Sequence, residues 1–184
     1  MDINKFLIIG SSSFSGSSFV NYLLKKKQDV IGISRSKNIN NVFLPYLWNS
    51  HIANFENYYA DLNLDTNKIV DVIEDKKPDY IVNFAAQGMV AQSWEKPEDW
   101  YNTNVVSQVK LHDQIRKFDF IKKYIHVTTP EVYGSTDNWI SENFNFSPST
   151  PYAVSRASCD LHLMSFKKAY DFPVVFTRAA NVYG

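Results

Sequence analysis

The chain has 184 residues, 45% of them hydrophobic and 21% charged, which is typical of one soluble globular domain and short for two. Its 19 basic and 19 acidic residues cancel, so no charge surplus points to nucleic acid or an anionic membrane as a partner. One cysteine excludes an internal disulfide, and the first apolar run is too short for a signal peptide or membrane span. The histidines lack metal-ligand spacing, so no metal site is expected. The sequence predicts one cytoplasmic domain over residues 1–184.

Short apolar runs rich in β-branched residues alternate with helix-like segments. The predicted strands are Phe6–Ile9, Val30–Ile33, Glu56–Ala60, Tyr80–Phe84, Tyr124–Val127 and Val174–Phe176. The predicted helices are Gly16–Lys26, Lys68–Lys76, Pro97–Lys117 and Tyr152–Tyr170. Residues 34–55 have no regular period and are predicted to form a long crossover. Continuous apolar strands separated by helices indicate a parallel sheet covered on both faces, so we expect a doubly wound, Rossmann-type α/β fold.

The first strand turns into the first helix through Gly10–Gly16, which reads GSSSFSG. In such folds this turn is the usual phosphate site, because backbone N–H groups and the helix N-terminus point at the ligand. The backbone amides of Ser12–Ser15 would then hold a pyrophosphate. Gly10 permits the tight turn and Gly16 close helix packing, while Ser13 stands where a third glycine would allow the nearest approach. The spacing alone fits a serine-rich polar turn at least as well.

Seven motifs in family order carry a resemblance to the extended short-chain dehydrogenase/reductase family, specifically its nucleotide-sugar epimerases and dehydratases. They are the Gly10/Gly16 loop, Tyr59–Leu62 (YADL), Asn83–Gln87 (NFAAQ), Asn102–Val105 (NTNV), Thr128–Gly134 (TTPEVYG), Pro151–Arg156 (PYAVSR) and Arg178–Gly184 (RAANVYG). The resemblance implies bound NAD(P) and a nucleotide-sugar substrate, and it is compatible with a homodimer through family-type helices. Related enzymes continue past the last motif, so the chain is expected to lack their C-terminal substrate lobe.

The resemblance also implies which residues contact the ligands. Asp61 and Leu62 would flank the adenine, and Thr103 and Asn104 would lie near the nicotinamide half. The implied cofactor-binding residues are Gly10, Ser13, Phe14, Ser15, Gly16, Ser34, Arg35, Asp61, Leu62, Phe84, Ala85, Ala86, Thr103, Asn104, Tyr152 and Arg156. The implied substrate-binding residues are Gln87, Gly88, Thr129 and Asn181.

The type of dinucleotide depends on the end of the second strand. NAD-specific sites usually place a carboxylate there to accept hydrogen bonds from the ribose. This chain has Ser34 and then Arg35, followed by Lys37. An arginine fork suits a 2′-phosphate, so the sequence favours NADP over NAD. The alternative is that Arg35 and Lys37 form a solvated loop face.

Tyr152 and Arg156 stand four residues apart, on one face of a predicted helix. They match the family's tyrosine–lysine pair, with arginine in the lysine position. A fixed cation would lower the pKa of the phenol, so that Tyr152 could accept a proton from a sugar hydroxyl. Arginine is bulkier than lysine and differs in geometry. Without the motif, Tyr152 is a half-buried tyrosine at the start of a helix.

Thr129, Pro130 and Glu131 follow the fifth predicted strand. By the resemblance, Thr129 hydrogen-bonds the reacting sugar oxygen. Glu131 stands where 4,6-dehydratases keep a carboxylate base, which favours dehydration over 4-epimerisation or decarboxylation. Pro130 replaces the aspartic acid of dTDP-glucose dehydratases and cannot donate a proton. By itself, Glu131 is a carboxylate on a surface turn.

Two classes of function remain open. One is a nucleotide-sugar enzyme that oxidises carbon 4 transiently, with Thr129, Glu131, Tyr152 and Arg156 as catalytic residues. The other is a dinucleotide-binding protein without turnover, such as a redox sensor or a degenerate paralogue. The departures at Ser13, Pro130 and Arg156 and the expected lack of the C-terminal lobe favour the second class. The joint presence of the threonine, the glutamate and the tyrosine favours the first.

Overall fold

The structure is a computed structural model that describes residues 3–183. Its parallel strands form one sheet in the order β3-β2-β1-β4-β5-β6. They are β1 (Lys5–Ile9), β2 (Asp29–Ser34), β3 (Phe55–Tyr59), β4 (Tyr80–Asn83), β5 (Lys123–Thr128) and β6 (Val174–Arg178). The strand order reverses between β1 and β4, where Ile9 is in register with both Ile33 and Asn83. The predicted doubly wound, Rossmann-type fold is confirmed, and such a reversal leaves a crevice at the carboxyl ends of the strands.

Helices cover both faces of this sheet. They are α1 (Phe14–Lys25), α2 (Thr66–Lys76), α3 (Pro97–Tyr101), α4 (Ser107–Ile115) and α5 (Pro151–Tyr170). The alternating side chains of β1 divide the core: Leu7 and Ile9 pack in one buried cluster and Ile8 in the other. Within the described residues, no helix combines the length and the apolar character needed to cross a membrane.

The predicted single helix Pro97–Lys117 is wrong in its middle. A π-helical turn, Asn102–Val106, separates α3 from α4. Such turns insert an extra residue into the helix and recur at functional sites. Here the turn contains Asn104, which is completely buried. Helical propensity alone could not reveal this interruption, because the contacts of Asn104 come from distant parts of the chain.

The crossover over residues 34–55 contains three short 3₁₀ turns, Asn41–Phe43, Pro45–Trp48 and Ile52–Asn54. Leu44 and Tyr46 are its buried anchors and pack in the same cluster as the core residues of α1. The crossover therefore holds α1 against the sheet from its outer side.

Candidate functional site

A groove of about 260 Å³ lies at the carboxyl ends of the central strands. Its walls are formed by strand ends and the loops that follow them. The lining residues are Ile9, Gly10, Ser12, Ser13, Ile33, Arg35, Ser36, Ile39, Ala60, Asp61, Leu62, Asn63, Ile69, Phe84, Ala85, Ala86, Gln87 and Thr103. Most of the residues predicted to contact a cofactor are thus brought together in one place.

Two glycines shape one end of this groove. Gly10 has φ +86°, and a Cβ there would lie 3.0 Å from the backbone nitrogen of Ala85. A Cβ on Gly16 would lie only 2.1 Å from the carbonyl oxygen of Gly10. The turn and the close approach of α1 to β1 therefore require glycine at both positions, as the sequence predicted.

Ser13 stands where a third glycine was considered, and its role is to cap α1. Its Oγ accepts from the Gly16 amide at 3.1 Å and donates to the Gly10 carbonyl at 2.7 Å. Its own N–H donates to that carbonyl as well, at 3.0 Å. The prediction that all amides of Ser12–Ser15 face a ligand is therefore corrected, because that of Ser13 is already used.

Three of the four amides predicted to hold a pyrophosphate remain unpaired among the described residues. Within residues 3–183, the N–H groups of Ser12, Phe14 and Ser15 have no hydrogen-bond acceptor. Phe14 and Ser15 open α1, so their amides lie at the positive end of its dipole. Three unpaired donors on one turn can bind an anion such as a phosphate.

The end of β2 presents Arg35, but not Ser34, to the groove. Ser34 is buried, and its Oγ accepts from Asn57 Nδ2 at 3.5 Å, so the predicted contact of the Ser34 side chain with a cofactor is corrected. Arg35 is exposed and lines the groove, with Nε 3.9 Å from Oδ2 of Asp61. Lys37 lies over the ring of Tyr59, 5.6 Å from its centroid. One exposed guanidinium therefore stands at the rim beside a carboxylate.

Asn104 holds the backbone of Gln87, a residue that lines the groove. Its Oδ1 accepts from the Gln87 amide at 2.8 Å, and its Nδ2 donates to the Gln87 carbonyl at 3.0 Å and to Ser155 Oγ at 2.9 Å. Because the side chain is fully buried with its donors used, the predicted contact with a cofactor is corrected. Its neighbour Thr103 does line the groove and accepts from Asn63 Nδ2 at 3.0 Å.

The first turn of α5 is linked to this wall by hydrogen bonds. Thr150 caps the helix by accepting from the Ala153 amide at 3.0 Å. The carbonyl of Tyr152, which is half-buried, accepts from Ser155 Oγ at 2.7 Å, and that hydroxyl accepts from Asn104. The predicted tyrosine thus belongs to the same hydrogen-bonded unit as the groove wall.

Arg156 points below the end of β5. Its side chain is buried, and Nη2 donates to the carbonyl oxygen of Val127. Its Nε and Nη1 have no hydrogen-bond partner among the described residues. Burial lowers the pKa of His126 well below its usual range, and the charge of Arg156 lowers it further. The structure therefore places a fixed positive charge beneath the end of β5.

The residues after β5 form a corner next to α5 in which Thr129 is buried and Glu131 is exposed. Thr129 is buried and its Oγ1 accepts from the Glu131 amide at 3.3 Å, so its hydroxyl proton is available to another acceptor. Glu131 is exposed in the short 3₁₀ turn Pro130–Tyr133. Of the predicted substrate residues, Gln87 lines the groove, while Gly88 and Asn181 are exposed outside it.

A buried ion pair behind β5 was not predicted. Arg178 Nη2 lies 2.8 Å from Oδ2 of Asp160, and both side chains are buried. Four aromatic rings, of Tyr133, Phe144, Phe146 and Phe176, lie 5.4–6.0 Å from the guanidinium. Burial raises the pKa of Asp160, against the effect of the arginine. No local spacing signals this pair, because Arg178 lies on β6, 18 residues after Asp160.

Comparison with known proteins places this geometry in context. The family model of GDP-mannose 4,6 dehydratase matches residues 7–184. The dTDP-glucose 4,6-dehydratase of Escherichia coli is 29% identical over 98% of this chain and 55% of its own length. The UDP-N-acetylglucosamine 4-epimerase of Methanobrevibacter ruminantium, solved with UDP-N-acetylmuramic acid, is 28% identical with a TM-score of 0.85, covering 100% of this chain and 57% of that one.

A further solved structure is similar, the UDP-glucuronic acid 4-epimerase of Bacillus cereus with UDP-glucuronic acid and NAD. It is 26% identical with a TM-score of 0.83, covering 98% of this chain and 57% of that one. The chain spans about half the length of the curated relatives it matches. The resemblance carried by the seven motifs is confirmed, and the chain belongs to the family of GDP-mannose 4,6 dehydratase.

Proposed function

We propose that this chain is the dinucleotide-binding part of an NAD(P)-dependent nucleotide-sugar dehydratase or epimerase that oxidises sugar carbon 4 transiently. The observation that supports the proposal is the hydrogen-bonded connection from Gln87 in the groove through Asn104 and Ser155 to the main-chain carbonyl of Tyr152, in the first turn of α5. Proteins similar to this chain include a dTDP-glucose 4,6-dehydratase and UDP-sugar 4-epimerases. A second candidate is a dinucleotide-binding protein without turnover, and the hydrogen bond of Arg156 to the backbone of β5 favours it.

The groove residues fit a dinucleotide. A Cβ at Gly10 or Gly16 would lie too close to neighbouring backbone, so this tight turn presents main chain without side chains at both positions. The free amides of Ser12, Phe14 and Ser15 suit the pyrophosphate of the dinucleotide. Bound NAD(P) would supply an acceptor and donor of hydride. The residues of this chain would orient it and exclude water.

Tyr152 and Thr129 are the proposed polar partners of the reacting sugar oxygen. Tyr152 would accept the hydroxyl proton, and the hydroxyl of Thr129 would donate a hydrogen bond to the same oxygen. Arg156 would stabilise the developing charge from its buried position below β5, because a charge acts more strongly where water is excluded. These two roles require that the side chains of Tyr152 and Thr129 lie together at the corner after β5.

Within this reaction class we rank 4,6-dehydration above epimerisation or decarboxylation. Glu131 would remove the proton next to the newly formed ketone, and its exposure leaves the carboxylate accessible to a substrate. Dehydration also needs an acid that protonates the departing hydroxyl, and Pro130 cannot supply that proton. Glu131→Gln should therefore lower dehydration far more than the reversible oxidation at carbon 4.

NADP is the proposed form of the cofactor. Arg35 lines the groove and is exposed, so its guanidinium can pair with a 2′-phosphate. The carboxylate of Asp61, 3.9 Å away, competes for it. Calorimetric titration should give tighter binding of NADPH than of NADH, and Arg35→Asp should reverse the order. Tighter binding of NADH by the unmodified chain would overturn the NADP proposal and leave the reaction class intact.

We also propose a cytoplasmic location and a homodimer. The single cysteine is free and buried, which fits a reducing compartment. The dimer would use the outer faces of the helices, where residues such as Val106 and Leu161 expose apolar side chains. Light scattering of the purified chain tests the dimer.

The activity is tested with the full-length gene product and a panel of nucleotide-sugars. Formation of a 4-keto product should depend on Tyr152, so that Tyr152→Phe abolishes it while dinucleotide binding persists. Tight dinucleotide binding without turnover of any sugar in the panel would favour the non-catalytic candidate. Absence of dinucleotide binding would refute both.

A further inference from the structure

Four polar side chains form a continuous hydrogen-bonded chain behind the groove wall. They come from β4, α4 and β5, and they are Asn83, Gln108, Tyr124 and His112. Each of them is at most 1% exposed. Breaking any of these hydrogen bonds leaves a further buried polar group unpaired, which raises the free energy of the fold, so the chain favours one arrangement.

The chain ends on the backbone of Ala85, which lines the groove. The Ala85 amide donates to Asn83 Oδ1 at 2.9 Å, and Gln108 Nε2 donates to the Ala85 carbonyl at 2.9 Å. Both backbone groups of this residue are thus held by side chains. The backbone nitrogen of Ala85 lies 3.0 Å from where a Cβ on Gly10 would stand, so Ala85 borders the glycine turn.

The direction of every hydrogen bond in the chain follows from Ala85. Because Asn83 Oδ1 accepts from Ala85, its Nδ2 is left to donate, to Gln108 Oε1 at 2.8 Å and to the Tyr124 hydroxyl at 2.7 Å. The Tyr124 proton is then directed to His112 Nε2 at 2.9 Å. His112 then carries its proton on Nδ1, which has no hydrogen-bond partner among the described residues, and burial lowers the pKa of the ring, which keeps it neutral.

We propose that Gln108 is a positioning residue for the dinucleotide: with Asn83 it fixes the backbone of Ala85, and Tyr124 and His112 fix the orientation of both amides. The proposal rests on the proposed function only in naming the ligand of the groove. Asn104 holds both backbone groups of Gln87 in the same way. Buried amides therefore set the path of the chain along this wall.

The test compares dinucleotide affinity with stability. Gln108→Met keeps the length of the side chain and removes both hydrogen bonds, and Tyr124→Phe keeps the ring and removes the link to His112. The matched control is Asn49→Leu, which removes a buried amide that donates to Asn21 at 2.7 Å, away from the groove. Calorimetry with NADPH and NADH and urea unfolding are performed on all variants.

Gln108→Met should bind dinucleotide about tenfold more weakly, as expected when the Ala85 carbonyl loses the one hydrogen bond that Gln108 gives it. Tyr124→Phe should weaken binding less, and the two changes together should be less than additive, since they break one chain. Asn49→Leu should lower stability and leave affinity unchanged. Unchanged affinity in Gln108→Met, with stability lowered as in the control, would overturn the proposal.

A separate readout distinguishes this failure from failure of the proposed function. If the unmodified chain binds neither dinucleotide, the proposed function is refuted. The positioning role is then decided by the NMR signal and hydrogen exchange of the Ala85 amide. Faster exchange in Gln108→Met than in the control supports the role of Gln108. Equal exchange in both overturns it.

Discussion

Replacing Gly16 with alanine tests how the groove is built. A Cβ at this position would lie 2.1 Å from the Gly10 carbonyl oxygen, 2.8 Å from Ser13 Oγ and 3.0 Å from the Gly10 carbonyl carbon. Ordinary contacts of a Cβ are 3.4–4 Å. Two of the three obstructing atoms belong to the backbone, so rotation of a side chain cannot make room. The start of α1 must move away from β1.

The size of the effect follows from that displacement. Relief of the clash requires a movement of about 1 Å, and misplacement of positioned groups by this distance can lower their effectiveness about 100-fold. Since the free amides of Ser12, Phe14 and Ser15 lie in this segment, we expect dinucleotide affinity to fall about 100-fold, or about 2.7 kcal/mol. Overpacking should lower the free energy of unfolding by about 1–3 kcal/mol.

Calorimetric titration and urea unfolding measure the two effects on the same preparation. The matched control is Ser18→Ala, an exposed position on the same helix, which should change stability by less than about 0.5 kcal/mol and leave affinity unchanged. Wild-type affinity in Gly16→Ala would show that the loop does not position the dinucleotide.

Three further predictions follow from contacts of buried and capping groups. Ser13→Ala removes the α1 cap and should lower the unfolding free energy by about 1 kcal/mol in urea titration, while an unchanged midpoint would contradict the capping role. His112 and His126 have pKa values lowered well below the usual range by burial, so the unfolded chain binds protons that the folded one does not. Stability should therefore fall as the pH drops below about 6.5, by up to about 1.4 kcal/mol per pH unit for each histidine, and a flat profile from pH 7.5 to 5.5 would refute their burial as neutral rings. Asp160→Asn leaves the guanidinium of Arg178 unpaired and should lower stability by about 3–5 kcal/mol at neutral pH, with an effect below about 1 kcal/mol counting against the ion pair.

The fold could be predicted from the sequence because its signals are local and repeated. The other five strands coincide with short apolar runs, and β3, with the mixed sequence FENYY, differs from its predicted position, Glu56–Ala60, by a single residue at each end. The need for glycine at positions 10 and 16 could also be predicted. Few residues other than glycine adopt a positive φ, and few with a Cβ fit where a helix starts so close to a carbonyl oxygen. Regular alternation and special backbone positions are properties of the chain itself.

The side-chain roles could not be predicted as well, because they depend on partners far along the chain. Asn104 was expected to contact a cofactor, but Gln87 and Ser155 occupy its hydrogen-bonding groups. Ser34 was expected to face a ribose, but Asn57 of β3 bonds it. A motif indicates that a residue matters in a family, whereas the direction of its side chain is set by tertiary packing.

The groove combines predictable backbone features with side-chain contacts that only the fold reveals. The groups best placed to hold a dinucleotide are main-chain ones: the amides of the glycine loop and the segment from Ala85 to Gln87. Substitution by a residue other than proline does not remove these main-chain groups, but it can displace them. Tolerance should therefore be high at rim side chains such as Ser13, where a serine replaces glycine and caps the helix. It should be low at the buried amides of Asn104 and Gln108, whose side chains never reach the ligand but fix the backbone that does.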